Sequence, residues 1–367
     1  MIRYDFLDND RKVRHIYFAK QLDLHFFEKE TEDCDELAVY YSNSVDDSIY
    51  QKYGRTFVYM TKGWSWDKPS HSIMIDLRND EDKIFGEFRK NCRYEIKRAK
   101  ERDNLYTDIN MEPDEKDLSK VAEYYNVFAK AKGLPFFSIS RYRAAMNAGL
   151  LTIGMVRDSS DSILVCNGCL LDRDEGISTF SFGASHFRVD KEKAALISRA
   201  NRYLHYEMMC YLKKNGYIGY DFGGLYIGDD LVLNGISDFK RGFGGEILEY
   251  APKFIFQKKD LETVNHNINL LDRIGNRGII VYGLSTWGGY VIEKLRERYA
   301  ISPLCIIDNF SSDSNVRKST EINKYNPNNA FIIVTTRMDN YKKIINEDCL
   351  KPFVSAGAIL CIREERL

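Results

Sequence analysis

Two glycine-bearing blocks hold the residues best suited to chemistry. Tyr220-Asp-Phe-Gly-Gly-Leu225 sets Asp221 beside Gly223 and Gly224. Phe239-Lys-Arg-Gly-Phe-Gly-Gly245 sets Lys240 close to Gly242, Gly244 and Gly245. Both read as apolar strands that end in tight turns. Glycine leaves backbone N–H groups uncovered, and a lysine beside bare N–H groups suits a developing oxyanion or a phosphate. Asp221 could orient a reacting group or take a proton from it. The plainer alternatives are a turn-forming aspartate and a surface lysine after a strand. No Ser-His-Asp or Cys-His arrangement for a covalent intermediate is visible along the chain.

Further polar candidates surround these blocks. Between Glu87 and Arg102 stand seven Lys or Arg and three Glu, a basic helix face whose Arg93 and Arg98 could meet phosphate. A solvated helix side is the competing reading. Arg199 and Arg202, with Asn201 between, lie on a long helix and could grip phosphate or carboxylate. His186 follows the Phe182-Gly-Ala strand and could relay a proton, although a lone loop histidine is usually only solvated.

Near the C-terminus, Gly283-x-x-x-x-Gly288 approximates a dinucleotide-binding turn, with Ser285 where the middle glycine would stand. Asp308 ends the next strand, where a ribose-binding acid would sit. The module has only about 90 residues, half a full two-lobed nucleotide fold. Nucleotide or nucleotide-sugar binding and a packing or oligomerisation role are both open here.

The expected elements place these residues as follows. A helix spans 80–102, capped by Asn79 or Asp80, with an Ile84, Phe88, Cys92, Ile96, Ala99 stripe. A second spans 117–132 and ends at Gly133, and a third runs from Ser140 to Ala148. Runs 151–157, 163–172 and 177–184 form an antiparallel meander. Asp190 caps a long helix closed by Gly216. Strands follow at 218–222 and 247–256. Residues 257–277 are polar and read as a linker. Strands at 278–283, 304–308, 330–335 and 358–362 alternate with helices, which indicates a small parallel sheet. The fold class is α/β: residues 1–256 with a mixed or antiparallel sheet, then 278–367 as a small parallel, Rossmann-like domain.

Composition narrows the function. A net charge of −1 over 367 residues argues against a general nucleic-acid binder. No run of eighteen apolar residues offers a membrane span, and the N-terminus does not read as a secretory signal, so a cytoplasmic location is expected. The eight cysteines are scattered in apolar runs, as reduced buried thiols are. Cys166 and Cys169 sit on one strand with opposed side chains and no second pair, so no metal site is expected.

Six blocks taken in order carry a resemblance. They are Asp76-Leu77, Asn91 to Ala99, Phe182-Gly-Ala184, Arg199 to His205, and the Tyr220 and Phe239 blocks. Together they resemble the Fem family of aminoacyl (peptidyl) transferases and the related GNAT acetyltransferase domains of surface-polysaccharide gene sets. The resemblance runs from Ser72 to Tyr250, about half the chain, and the N-terminal residues match poorly. It implies a GNAT-like core in residues 1–256 and an amine attacking a thioester or ester. Lys240 matches the family lysine that stabilises reacting-group charge. Tyr220, Gly223, Gly224, Phe239 and Gly244 would shape the donor and acceptor site. The donor implied is acyl-CoA, although the loop from Gly183 to Asp190 lacks the glycine pattern of ordinary coenzyme A binders. Aminoacyl-tRNA is the alternative donor, with tRNA then a partner. The acceptor implied is an amino group on a nucleotide-linked amino sugar or other glycan precursor. Further alternatives are a peptidyltransferase acting on a peptidoglycan precursor, a non-catalytic nucleotide-sugar-binding protein and a nucleotide-sugar oxidoreductase. Homo-oligomer formation is compatible with all of them.

Overall fold

The computed structural model of the chain describes all residues except 9, 47, 50–68, 189, 229–230, 252–253, 259–265, 267–273, 275, 285, 310, 312–314, 337 and 363–367. It is an α/β protein of two compact units. The first comprises Met1–Gln21, Ala38–Ser44 and Met60–Lys253; the second comprises Leu22–Leu37, Val45–Tyr59 and Phe254–Leu367.

The first unit is built on a seven-stranded mixed sheet. Its order is Glu246–Tyr250, Ser70–Asp76, Gly219–Asp221, Ile177–Ser185, Ile163–Asp172, Leu151–Arg157, Tyr106–Asn110. The three β-branched, apolar runs at 151–185 form the expected antiparallel meander. One neighbouring pair, Ile177–Ser185 with Gly219–Asp221, is parallel. Both faces are covered, so these strands are buried nearly throughout rather than alternating with solvent. Helices Lys90–Arg102 and Ala194–Lys214 lie on one face through Cys92, Ile96, Ile197, Leu204 and Met208. Helices Glu115–Lys132 and Ile139–Asn147 lie on the other with the hairpin Ile2–Asp8/Arg11–Tyr17. Cys166 belongs to one of these cores and Cys169 to the other, as opposed strand positions require. Burial pushes both thiols up to about 12.

Helix ends follow their caps. Asp114 accepts from Asp117 N at 2.9 Å, and Gly133 ends the same helix in the left-handed region. The expected helix over 80–102 is two helices, Glu81–Glu87 and Lys90–Arg102. Phe88 and Arg89 are extended between them, and Arg89 N donates to Gly242 O at 2.9 Å. A tertiary bond thus replaces a helical one, while Phe88 stays buried against Phe243, 5.2 Å between rings. The long helix begins at Ala194, with Asp190 accepting from Lys193 N one turn earlier. The run expected as one strand over 247–256 is two, Glu246–Tyr250 and Phe254–Gln257.

The Phe239 block corrects a larger expectation. It is not a strand end: Lys240 lies in the last turn of helix Leu231–Arg241, and the glycines follow the helix. Ser237 and Lys240, three apart on one side, are its buried residues.

The second unit contains a parallel sheet ordered Val316–Arg317, Cys305–Ile307, Gly278–Tyr282, Ala330–Val334, Ile359–Cys361. Helix Leu24–Thr31, capped by Asp23, belongs to this unit. Its Phe27 packs edge-on against Phe254 and Phe256, at 5.6 and 5.0 Å. A single cut within 257–277 therefore does not divide the chain, and most of that segment lies outside the described residues. Among the described residues, no helix is long and apolar enough to cross a membrane.

Candidate active site

The parallel strand pair of the seven-stranded sheet sets up the site. Its register runs from Ile177↔Gly219 to Thr179↔Asp221 and stops, although the first strand continues to Ser185. Beyond Asp221 the chain turns through Gly223 and Gly224. Gly223 has φ +64°, and a Cβ there would stand 2.8 Å from Phe180 O. Any other residue would meet both backbone strain and a clash with a strand carbonyl.

Asp221 is fully buried and fixes this turn. Its Oδ1 accepts from Gly223 N at 2.5 Å and its Oδ2 from Ser72 Oγ at 2.8 Å. Gly224 N donates to the Tyr41 hydroxyl at 2.8 Å. These N–H groups are thus engaged, contrary to the expectation of bare donors beside a lysine. The two glycine carbonyls point the other way, to Lys240. Its Nζ donates to Gly224 O at 2.5 Å and to Gly223 O at 3.2 Å. Tyr226 N donates to Ser237 Oγ at 2.9 Å, tying the same turn to the helix that carries Lys240.

Electrostatics follow from burial. Desolvation raises the Asp221 carboxyl to about 6, against the lowering effect of Ser72, Gly223 N–H and Lys240. Desolvation lowers the Lys240 ammonium to about 8, and Asp221 only partly offsets it. No ion pair within 4 Å joins the two, so they sense one another across the glycine turn. Two polarised groups with displaced pKa values in one place are the usual mark of a reactive site, though buried networks produce them too.

Behind the lysine lies an aromatic box. Tyr220 hydroxyl and His205 Nδ1 are 2.7 Å apart, and both side chains are buried. His205 is held neutral, its pKa pushed down to about 3 by burial first, then by Lys240 and Arg202. Its ring meets Phe180, Phe222, Phe239 and Phe243 at 5.0 to 5.6 Å. Phe239 also receives the Arg202 guanidinium over its face at 4.9 Å. Gly244 packs against the Glu87 carbonyl.

The other expected site residues are placed elsewhere or engaged. Arg199 forms a fork with Asp103 at 2.5 and 3.1 Å, and Arg98 approaches the same carboxylate at 3.7 Å. Arg93 donates to the carbonyls of Gly86 and Phe88 at 2.5 and 2.7 Å. Arg202 pairs with Glu95 at 3.0 Å. Asn201 is half-buried on the same helix. Arg199 and Arg202 join the two helices, while Arg93 and Arg98 are engaged near the ends of their own helix. His186 stacks on Tyr124, 3.9 Å between rings, and its Nε2 lies 3.2 Å from Tyr124 O. No described contact joins it to Asp221 or Lys240.

In the second unit, a Cβ at Gly288 would stand 2.1 Å from Gly283 O. Close helix–strand packing alone requires that glycine. Asp308 accepts from Leu284 N, in the turn after Gly283, at 2.9 Å and from Ser311 N, in its own loop, at 3.1 Å. Ser285 lies outside the described residues.

Sequence reasoning did not single out Tyr41, Ser72, His205 or Ser237 as site residues. His205 closes the Arg199 block but, on a helix with an apolar stripe, reads as core; Tyr41, Ser72 and Ser237 stand in none of the six blocks.

No family model matches the chain, and no curated protein does. Solved structures with similar backbones include FemX, at 16% identity and TM-score 0.45 over 62% of this chain and 73% of that one. L-PGS from Bacillus licheniformis follows at 12% and 0.42 over 70% and 80%. Saccharomyces cerevisiae N-myristoyltransferase with bound myristoyl-CoA aligns at 11% and 0.33 over 70% and 62%.

Proposed function

We propose that the chain is an N-acyltransferase whose reaction is centred on Lys240. The observation that carries the reading is the way Lys240 is held. An ammonium has three N–H donors. Two are fixed by the Gly223 and Gly224 carbonyls, which aims the third. A buried cation fixed in this way needs no reorganisation when charge develops beside it. The Fem-like order of the sequence blocks supports the same reading.

In this reaction the nitrogen of a substrate amine attacks the carbonyl carbon of a thioester or ester. The carbonyl π electrons move to oxygen, and the Lys240 ammonium stabilises the oxyanion. Collapse restores the C=O bond and breaks the bond to sulfur or oxygen, and the departing thiolate or alkoxide takes up the proton that the nitrogen loses, leaving amide and free thiol or alcohol. Asp221 is a positioning residue here. Both its oxygens are occupied by Ser72 and Gly223, so its work is to hold the turn that aims Lys240.

The finer reading keeps acyl-CoA as donor and an amino group of a nucleotide-linked amino sugar or related glycan precursor as acceptor, in the cytoplasm. Aminoacyl-tRNA is the other donor to test. Pure protein is incubated with radiolabelled acetyl-CoA or charged tRNA and a panel of UDP- and dTDP-amino sugars. Label in the sugar fraction, lost in Lys240→Met, supports the reading. No transfer from either donor, with nucleotide-sugar binding intact, points instead to a binding protein.

A further inference from the structure

A second polar centre stands in the first unit, and none of the sequence motifs includes it. Arg141, in helix Ile139–Asn147, is half-buried among tyrosines. Its Nε donates to the Tyr4 hydroxyl at 3.2 Å and its Nη2 to the Tyr17 hydroxyl at 2.6 Å. The guanidinium also lies over the Tyr142 ring at 4.9 Å. Among the described residues, no carboxylate pairs with it. The contrast with Arg93, Arg98, Arg199 and Arg202 is direct, because each of those is spent on carboxylates or carbonyls.

A guanidinium half-removed from water without a counter-ion is costly. It has five N–H donors, and the two tyrosines take two of them. The tyrosines are themselves held in place. Tyr17 stacks on Tyr40 at 4.5 Å, and the Tyr142 hydroxyl is 3.1 Å from Ser181 Oγ. A tyrosine hydroxyl that accepts from arginine keeps its own proton to donate. The donors left over, on a planar fork stiffened by aromatic rings, match two oxygens of one anionic group.

The centre is continuous with the Lys240 turn. The Tyr17 ring lies 6.4 Å from Tyr41, whose hydroxyl accepts from Gly224 N, and Gly224 O accepts from Lys240. We propose that Arg141 and the Tyr4, Tyr17 and Tyr142 ring set form a subsite for an anionic group, a phosphate or a carboxylate, of the molecule that reacts at Lys240. This deepens the acyltransfer reading in where the anion sits, but anion binding itself is measured without any transfer.

The test is calorimetric titration of the full chain with inorganic pyrophosphate and, separately, with succinate. Binding of either is expected in the unmutated protein. It should weaken on the order of tenfold or more in Arg141→Lys, which cannot offer a planar fork, and vanish in Arg141→Met. Preference for pyrophosphate assigns the anion to a phosphate source, and preference for succinate to a carboxylate source. Should Arg141→Met not fold by near-ultraviolet circular dichroism, Tyr17→Phe removes one hydroxyl while keeping the ring, and weaker binding is expected there too. The proposal is overturned if the unmutated protein binds neither anion, or if folded Arg141 variants and Tyr17→Phe bind as it does. Failure of the transfer assay alone leaves the subsite standing.

Discussion

Lys240 Nζ is 2.5 Å from the carbonyl oxygen of Gly224, a residue sixteen positions earlier on a different element. The contact joins the end of a helix to the end of a strand and makes the position of the charge depend on the backbone of the glycine turn. A cation held by carbonyls rather than by a carboxylate keeps its full charge for a ligand. Lys240→Met retains most of the apolar stem. It should lower kcat by about 10²–10³, the usual effect of losing one oxyanion-stabilising group, with a smaller change in KM for the acceptor. Steady-state kinetics on the transfer reaction check this; near-normal kcat would remove Lys240 from the chemistry.

The displaced pKa values give a pH window. If transfer needs Lys240 protonated and Asp221 ionised, kcat/KM should fall above about 8 and below about 6. Lys240→Arg should lift the upper limb out of range while restoring only part of the rate, because a planar fork cannot place its charge as an ammonium does. An upper limb unmoved in Lys240→Arg would assign it to the substrate amine.

Stability should carry the same signature with a defined sign. The folded Lys240 pKa, about 8, lies below the ordinary 10.5 of the unfolded chain. Between those values the unfolded state binds more protons, so this group's contribution rises with pH. The gain is on the order of 3 kcal/mol across the window. Asp221 runs oppositely in sense: raised from 3.8 to about 6, it favours the fold at low pH and loses that contribution as pH climbs through the interval. Denaturant unfolding of the wild type and Lys240→Met at pH 8 and 10 isolates the lysine, since other titrations cancel in the difference. A difference that does not change with pH would contradict the burial argument.

Much of the fold could be read from the chain, because periodicity reports burial. The 151–184 meander, the helix over 117–132 ending at Gly133, and the parallel strands after 278 all follow from it, although the helix starts two residues earlier, at Glu115 behind an Asp114 cap. What failed were long-range substitutions for local bonds. Arg89 N gives up a helical acceptor for Gly242 O, and no periodicity can report that. Helix Leu231–Arg241 was hidden because Gly235 and exposed Leu231, Val232 and Ile236 blur its apolar side. For the site, the glycine blocks pointed to Asp221 and Lys240. Charge alone pointed to Arg93, Arg98, Arg199 and Arg202, since a sequence does not show which cations have partners. Arg141 emerged only once Tyr4 and Tyr17, from a distant hairpin, were in place.

Arg199 and Asp103 supply a test of that distinction. Their fork is largely buried, with side-chain exposures of 13% and 8%. Removing one partner of a buried pair leaves the other charge uncompensated, at a cost of about 3–5 kcal/mol. Arg199→Met should therefore lower thermal stability markedly while KM for donor and acceptor stays near the wild-type value. A large KM increase with stability unchanged would return Arg199 to ligand binding.

The two glycines at 223 and 235 should respond in opposite directions to the same substitution. Gly235 sits inside helix Leu231–Arg241, and a Cβ there meets nothing within 4 Å. Gly235→Ala should stabilise by roughly 0.5–1 kcal/mol, the helix-propensity gain, without affecting kcat. Gly223→Ala faces a left-handed φ of +64° and the Phe180 carbonyl at 2.8 Å. Strain of about 1–3 kcal/mol is expected there. Relief by turning the 223–224 peptides would swing away the two carbonyls that hold Lys240, so kcat should fall together with stability. Unfolding curves and kinetics on both variants decide the matter. If Gly223→Ala loses stability but keeps full kcat, the turn is a structural hinge, and the aim of Lys240 does not depend on it.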